Sequence, residues 1–319
     1  MKIFVTGGAG FIGSHIAEYH LRKGDEVWAI DNLETGNLDN LECLRTNPRF
    51  HFKDSSVADF TDLCEVIQWS DKIYHAAATV GMQNVLVRPT YTLSNNLHSL
   101  ESLLKGMEKA GNRQKFLFLS SSGVYWNTPL SFGVGHKEDE ILGVDTTNFV
   151  QEAYSLSKMV GEVLSLSFAK NHHIHCVVAR VFNTVGVRQT GEYGMVVPRF
   201  VRQALVNEPI TIYGTGEQTR SFCSVHDTVR ALDLLLDHPK AAGQIFNVGN
   251  ERETTILELA SIVKKLCNSS SEIIYIPYKE AYQMEFRDVL RRRPDMTKFY
   301  HLTGFKAEWS LEETIQEMI

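Results

Sequence analysis

The chain has 319 residues, enough for one large α/β unit with an added lobe or for two modest domains. Its 43% hydrophobic and 22% charged residues are those of an ordinary globular protein. A net charge of −6 and a pI near 6.1 argue against a nucleic-acid partner, and no apolar run approaches the ~20 residues of a membrane span.

In chain order, short apolar runs alternate with longer amphipathic stretches, the rhythm of βα units feeding a parallel sheet. Strands are predicted at 2–6, 26–30, 50–53, 72–75, 116–120, 175–182 and 244–248, and helices at 11–23, 89–110 and 151–170. The strands read as continuous apolar runs, as expected where helices cover both faces. After Phe182 the rhythm loosens, and turn pieces such as Gly214-Thr215-Gly216 separate shorter elements. The expected class is α/β: a Rossmann-type doubly wound parallel sheet with a smaller C-terminal substrate-binding lobe. Residues 1–180 would bind the cofactor and 181–319 would form the lobe, with 244–248 returning to the main sheet. A strand beginning at Lys2 leaves no room for a signal peptide, so the expected compartment is the cytoplasm. Cys43, Cys64, Cys176, Cys223 and Cys267 form no C-x-x-C pair, which fits free thiols and no metal site.

The first strand runs into Val5-Thr6-Gly7-Gly8-Ala9-Gly10-Phe11-Ile12-Gly13. Gly7 permits a tight turn, Gly10 lets a pyrophosphate approach the backbone, and Gly13 lets helix and strand pack closely. The helix opening at Phe11 and Ile12 then offers free N–H groups to the phosphates. The second strand ends at Asp31, roughly 20 residues past the glycines, where an acid that binds ribose is expected. Such an acid accepts from both ribose hydroxyls and repels a 2′-phosphate, which favours NAD(H) over NADP(H). Asn32 could serve the same ribose, and the bland reading of Asp31 is a loop acid.

The strand at 116–120 leads into Ser121-Ser122-Gly123-Val124-Tyr125, and Tyr154-Ser155-Leu156-Ser157-Lys158 follows on a helix. Tyrosine and lysine at i and i+4 share one helical face, about 6 Å apart at Cβ. A nearby ammonium and a positive nicotinamide ring would lower the tyrosine pKa from about 10. Tyr154 could then take a proton from a sugar hydroxyl whose carbon gives hydride to NAD. Lys158 would also hold the nicotinamide ribose, and Ser121 would orient the sugar oxygen. A Tyr/Lys pair alone is common on helices; the glycine turn upstream gives it weight.

These motifs resemble the extended short-chain dehydrogenase/reductase family, in its branch of nucleotide-sugar epimerases, dehydratases and decarboxylases. The resemblance covers nearly the whole chain, to Gly304-Phe305. It implies that Tyr74-His75-Ala76-Ala77-Ala78 passes under the cofactor, with Ala76 and Ala77 in contact. It also implies that Asp54 and Ser55 meet the adenine and that Asn96 supports the central sheet. On the substrate side it implies contacts from Ser122, Gly123, Asn183, Val197, Arg199, Tyr213, Arg220 and Arg292, with Asn183 and the two later arginines at the diphosphate. Surface ion pairing for those arginines and a turn cap for Asn183 remain open. His172, His173 and His175 read as helix-terminus residues rather than metal ligands.

Two departures matter. Decarboxylases of this kind carry Thr-Ser-Glu before Val-Tyr, and 4,6-dehydratases carry Thr-Asp-Glu; here Ser121-Ser122-Gly123 supplies no carboxylate and resembles the epimerases. Trp126 replaces the usual glycine after Tyr125. The expectation is therefore an NAD-dependent UDP-sugar 4-epimerase. The alternatives are decarboxylation of a UDP-uronate without a dedicated acid and a dehydrogenase releasing the 4-keto product. A non-catalytic NAD- or nucleotide-sugar-binding regulator is the reading from another class, and it has no need of Ser121, Tyr154 and Lys158 together. The resemblance further implies a homodimer through the helices at 89–110 and 151–170.

Overall fold

The computed structural model describes residues 1–111, 113–131, 133–192 and 194–319. In the first half, β1 (Lys2–Thr6), α1 (Phe11–Arg22), β2 (Glu26–Asp31), β3 (Phe50–Asp54), α2 (Leu63–Trp69) and β4 (Lys72–His75) lead to α3 (Met82–Val87), α4 (Pro89–Lys109), β5 (Lys115–Ser121), α5 (Phe149–His172) and β6 (Cys176–Val181). Then come β7 (Thr184–Val185), α6 (Val196–Leu205), β8 (Ile210–Tyr213), β9 (Thr219–Ser221), β10 (Cys223–Ser224), α7 (Val225–Asp237) and β11 (Gln244–Val248). The chain closes with β12 (Glu253–Thr255), α8 (Ile256–Leu266), β13 (Ile273–Ile276), α9 (Tyr278–Tyr282), β14 (Arg291–Arg292), α10 (Thr297–Thr303) and α11 (Leu311–Met318).

Seven strands form the central sheet in the order β11-β6-β5-β4-β1-β2-β3, every neighbouring pair parallel. Alternation along each strand feeds two cores. Ile3 and Val5 of β1 pack with α1 and α7, whereas Phe4 between them packs with α2, α4 and α5. Both faces are covered, which accounts for the unbroken apolar runs. A third core joins α6, β8, α8 and α11 through Phe200, Ile212, Leu259 and Ile315. Strand order reverses between β1 and β4, and in open α/β sheets ligands settle beyond the carboxyl ends of the strands at such a point.

Several boundaries differ from the expectation. β5 extends to Lys115 and Ser121, β6 starts at Cys176 and stops at Val181, and α5 begins at Phe149. Helices α2 and α3, with seven and six residues, were not expected because they are too short to display an amphipathic period. His172 ends α5, and His173 caps it in the left-handed conformation with φ of 55°. At the far end of the sheet from the crevice, the buried Lys72 donates to Asp233 at 2.7 Å and Asp237 at 2.8 Å, pinning β4 to α7.

Candidate active site

A cavity of ≈ 960 Å³ opens over the carboxyl ends of the sheet strands and runs to the third core. Small-molecule sites span about 300–1,000 Å³, so this one has room for more than a single small ligand.

At one end the glycine turn shapes the wall. Gly7 has φ of +71°, and a Cβ there would lie 2.7 Å from the Ala77 nitrogen. A Cβ on Gly13 would overlap the Gly7 carbonyl oxygen. Gly7, Gly10, Phe11, Ile12 and Gly13 all line the cavity, in the cradle a pyrophosphate requires. Asp31 faces the same space, with its carboxylate already accepting from the Ala9 N–H at 3.0 Å and the Leu33 N–H at 2.8 Å. Burial raises its pKa, against hydrogen bonds from Leu33, Ala9 and Gly10. Asn32, Ser55, Ala76 and Ala77 line the cavity too. Asp54 does not: it ends β3 exposed to solvent, and the following residues Ser55 and Ser56 turn to the cavity instead.

In the middle stand Ser121, Tyr154 and Lys158. Ser121 ends β5 and caps the short turn of 3₁₀ helix that follows, its hydroxyl accepting from the Gly123 N–H at 3.0 Å. Tyr154 and Lys158 project from α5 toward it, with the ammonium 5.9 Å from the phenol ring centre. The Lys158 ammonium donates to the Leu119 carbonyl at 2.7 Å. Burial pushes Lys158 down to about 8, opposed by the carboxylate of Glu162. Burial also raises Tyr154 above its ordinary value, while a hydrogen bond with Ser121 and the charge of Arg292 act to lower it. The expected lowering is thus absent from the protein alone, because desolvation outweighs the groups that favour the phenolate. Asn96 works as a brace: its carbonyl accepts from the Thr79 N–H at 2.7 Å and its amide donates to Ser157 at 3.0 Å, tying the loop after β4 to α5.

Gly123 carries the departure noted in the sequence. A Cβ built there would lie 3.4 Å from Cε1 of Tyr154 and 3.3 Å from Oγ of Ser121. A carboxylate side chain at this position would therefore stand beside the phenol, and here that place holds only hydrogen. Ser122 lies alongside, and Trp126 closes the wall under the Arg292 guanidinium, 5.1 Å from the ring centre.

Toward the third core, Asn183, Arg199, Tyr213, Arg220 and Arg292 line the cavity. The Arg199 guanidinium lies 3.8 Å over the Tyr213 ring, and its Nε and Nη1 are buried without a hydrogen-bond partner among the described residues. Arg220 pairs with Asp288 at 2.7 Å, and the Asn183 amide donates to the Ser221 carbonyl at 3.2 Å. Burial, reinforced by the charge of Arg220, lowers Arg292 to about 9, and its Nε is likewise orphaned. Two part-buried arginines with buried, unspent guanidinium donors suit an anionic ligand. Val197 is not part of this wall. It is 1% exposed inside the third core, and its neighbour Val196 faces the cavity.

Sequence reasoning missed Tyr278, Tyr282 and Phe286, whose rings pack in series beside Tyr213 and line the cavity. Their spacing, four residues apart each time, was the available signal: an aromatic stripe at helical period.

The sequence matches the family model described as NAD dependent epimerase/dehydratase family over residues 3–249. It is 32% identical over 319 residues to a UDP-N-acetyl-alpha-D-glucosaminuronate decarboxylase of Bacillus cytotoxicus, covering 100% of this chain and 96% of that protein. It is 34% identical to UDP-glucuronic acid decarboxylase 1 of Arabidopsis thaliana, covering 100% of this chain and 69% of that protein. Among solved structures, the UDP-glucose 4-epimerase of Thermotoga maritima with UDP-glucose superposes with a TM-score of 0.86 at 29% identity, covering 100% and 97% of the two chains. The UDP-glucuronic acid 4-epimerase of Bacillus cereus, in complex with UDP-glucuronic acid and NAD, does so with a TM-score of 0.87 at 28% identity, covering 100% and 98%. A glycine cradle built for a dinucleotide, and likenesses that run the length of the molecule, lead to one conclusion: the chain belongs to the NAD-dependent epimerase/dehydratase family.

Proposed function

We propose that this protein is a UDP-sugar 4-epimerase that removes and restores hydrogen at the sugar's 4-position. The observation that carries the reading is Ser121, Tyr154 and Lys158 meeting on one wall of the cavity, beside a Gly123 that brings no carboxylate. NAD, which Gly7, Gly10, Gly13 and Asp31 would hold, would supply the hydride acceptor. The Tyr154 oxygen takes the proton of the 4-hydroxyl and later returns it, with the Lys158 ammonium favouring the phenolate. Ser121 donates to the sugar oxygen and holds it in line. Arg220, Arg292 and Asn183 grip the diphosphate, Arg199 and Tyr213 flank the base, and Asp31 takes the adenosine ribose.

One finding favours a second reading. The relatives matched over the whole chain include UDP-uronate decarboxylases. Oxidation of a uronate at carbon 4 makes a β-keto acid, which can lose carbon dioxide without a dedicated acid at position 123. Incubation with UDP-glucose and with UDP-glucuronate separates the two readings. A 4-epimer without gas release is the expected result; carbon dioxide and a UDP-pentose would install the second reading. Stoichiometric NADH would mark a dehydrogenase, and an unchanged substrate panel with tight NAD binding would leave a non-catalytic binder.

The same reading includes a homodimer through α4 and α5. These helices pack on one another, and α5 exposes Phe149 and Val163, each at 65%, along its outer side. Apolar residues there suit partner helices in a four-helix bundle. A monomeric mass in sedimentation at micromolar concentration would refute it. The five cysteines are free, which supports a reducing, cytoplasmic setting.

A further inference from the structure

Ser120 on β5, Arg180 on β6 and Asn247 on β11 are cross-strand neighbours in a single row of the central sheet. The residues before them on the same face are apolar: Phe116, Phe118, Cys176, Val178 and Ile245. Glu162 reaches this row from α5, buried at 4% exposure. Its carboxylate accepts Nε and Nη2 of Arg180 at 2.9 and 2.7 Å, and the Ser120 hydroxyl at 2.5 Å. Nη1 of Arg180 continues to the Tyr125 hydroxyl at 2.8 Å, which donates to Oδ1 of Asn247 at 2.9 Å.

Glu162, Arg180, Tyr125 and Asn247 stand behind the cavity wall rather than on it. A buried ion pair of this kind adds little to stability, because apolar side chains of similar volume commonly do as well. Its position is the informative point. Glu162 lies one helical turn beyond Lys158 on the same face of α5, and Ser120 directly precedes Ser121. The network thus grips both elements that present the proton-handling groups.

We propose that Glu162 is a positioning residue: clamped by Arg180 and Ser120, its carboxylate keeps the Lys158 ammonium charged and seated beneath Tyr154 and Ser121. This rests on the reading of Tyr154 and Lys158 as the proton-handling pair. The groups around Lys158 leave Glu162 as its only source of negative charge among the described residues. On α5, Tyr154 is a neutral phenol whose own value is raised by burial. From β4, His75 is buried and pushed down to about 3 by desolvation and by Lys158, so it is neutral. From β6, Arg180 is cationic, and from β14, so is Arg292, which acts on Tyr154. Glu162 is the group that opposes the downward pull of burial on Lys158. Without it, Lys158 would shed its proton nearer neutrality.

Glu162→Gln in the NAD-loaded protein is the test. It should retain NAD and an unchanged KM, while the alkaline limb of the kcat profile moves about one pH unit lower, a tenfold change in the protonated fraction at a given pH. Glu162→Asp, which keeps the charge, should bring the limb back toward the wild-type position. The double variant Glu162→Met with Arg180→Met strands no buried charge, so it carries the same test if Glu162→Gln does not fold. Trace acetylation of Lys158, followed by mass spectrometry across pH, reads the same midpoint with no substrate. A limb and a labelling midpoint that stay put in Glu162→Gln or in the double variant overturn the proposal, as does equal impairment by Asp and Gln. Full turnover by Lys158→Met would instead overturn the underlying pair, independently of Glu162.

Discussion

Tyr154→Phe should lower turnover about 10²–10⁴-fold while the purified protein still carries NAD and melts at the wild-type temperature. The change removes one oxygen and leaves the ring where it is. Tyr154 lines the cavity with Ser121 and Lys158, its ring beside the space left by Gly123. Among the described residues, no other placed there combines a dissociable proton with a neighbouring ammonium: Ser121 and Ser122 are hydroxyls of much higher pKa, and His75 lies behind the wall bound to Thr6. The effect should therefore fall on kcat, with KM nearly unchanged. Turnover within a factor of two of wild type would remove Tyr154 from the chemistry.

Gly13→Ala should cost the protein its cofactor. The added methyl would overlap the Gly7 carbonyl oxygen and crowd the Gly7 carbonyl carbon at 2.8 Å, and Gly7 cannot retreat because Ala76 and Ala77 stand against it. The turn must open, and the N–H groups aimed at the pyrophosphate splay apart. We expect at least a 100-fold loss in NAD affinity, about 2.7 kcal/mol, together with about 1–3 kcal/mol of overpacking strain. Nucleotide released on denaturation and the melting temperature measure the two. NAD content equal to wild type would show that the turn is not the cradle.

The parts of the site legible in the sequence are those whose geometry is local. The glycine turn and the Tyr154–Lys158 pair each occupy a few consecutive residues, where backbone chemistry and helical period decide the outcome. Of the positions carried over from the resemblance, Ser55 lines the cavity as expected, whereas Asp54 and Val197 do not. Asp54 and Val197 alternate away from the cavity while Ser55 and Val196 face it, because a single step along a strand or helix reverses or rotates the side chain. The Glu162–Arg180–Tyr125–Asn247 network was invisible for a different reason. Its members lie on a helix, two strands and a turn, and only the pairing of β5, β6 and β11 brings them together. The tyrosine pKa showed a third kind of gap, since how deeply a phenol is desolvated depends on the packing of the whole cavity.

The edge of the sheet beyond β6 is closed by β11, which the chain delivers only after passing through α6, β8, β9 and α7. During synthesis, the strands that carry the dinucleotide cradle emerge early, yet the edge of β6 stays open, its backbone groups unpaired, until residue 248 has left the ribosome. The nascent chain must spend that interval as a sticky, incomplete sheet, a hazard for association with other nascent chains. Maturation of this molecule is thereby tied to its later residues, however early its most recognisable motif appears.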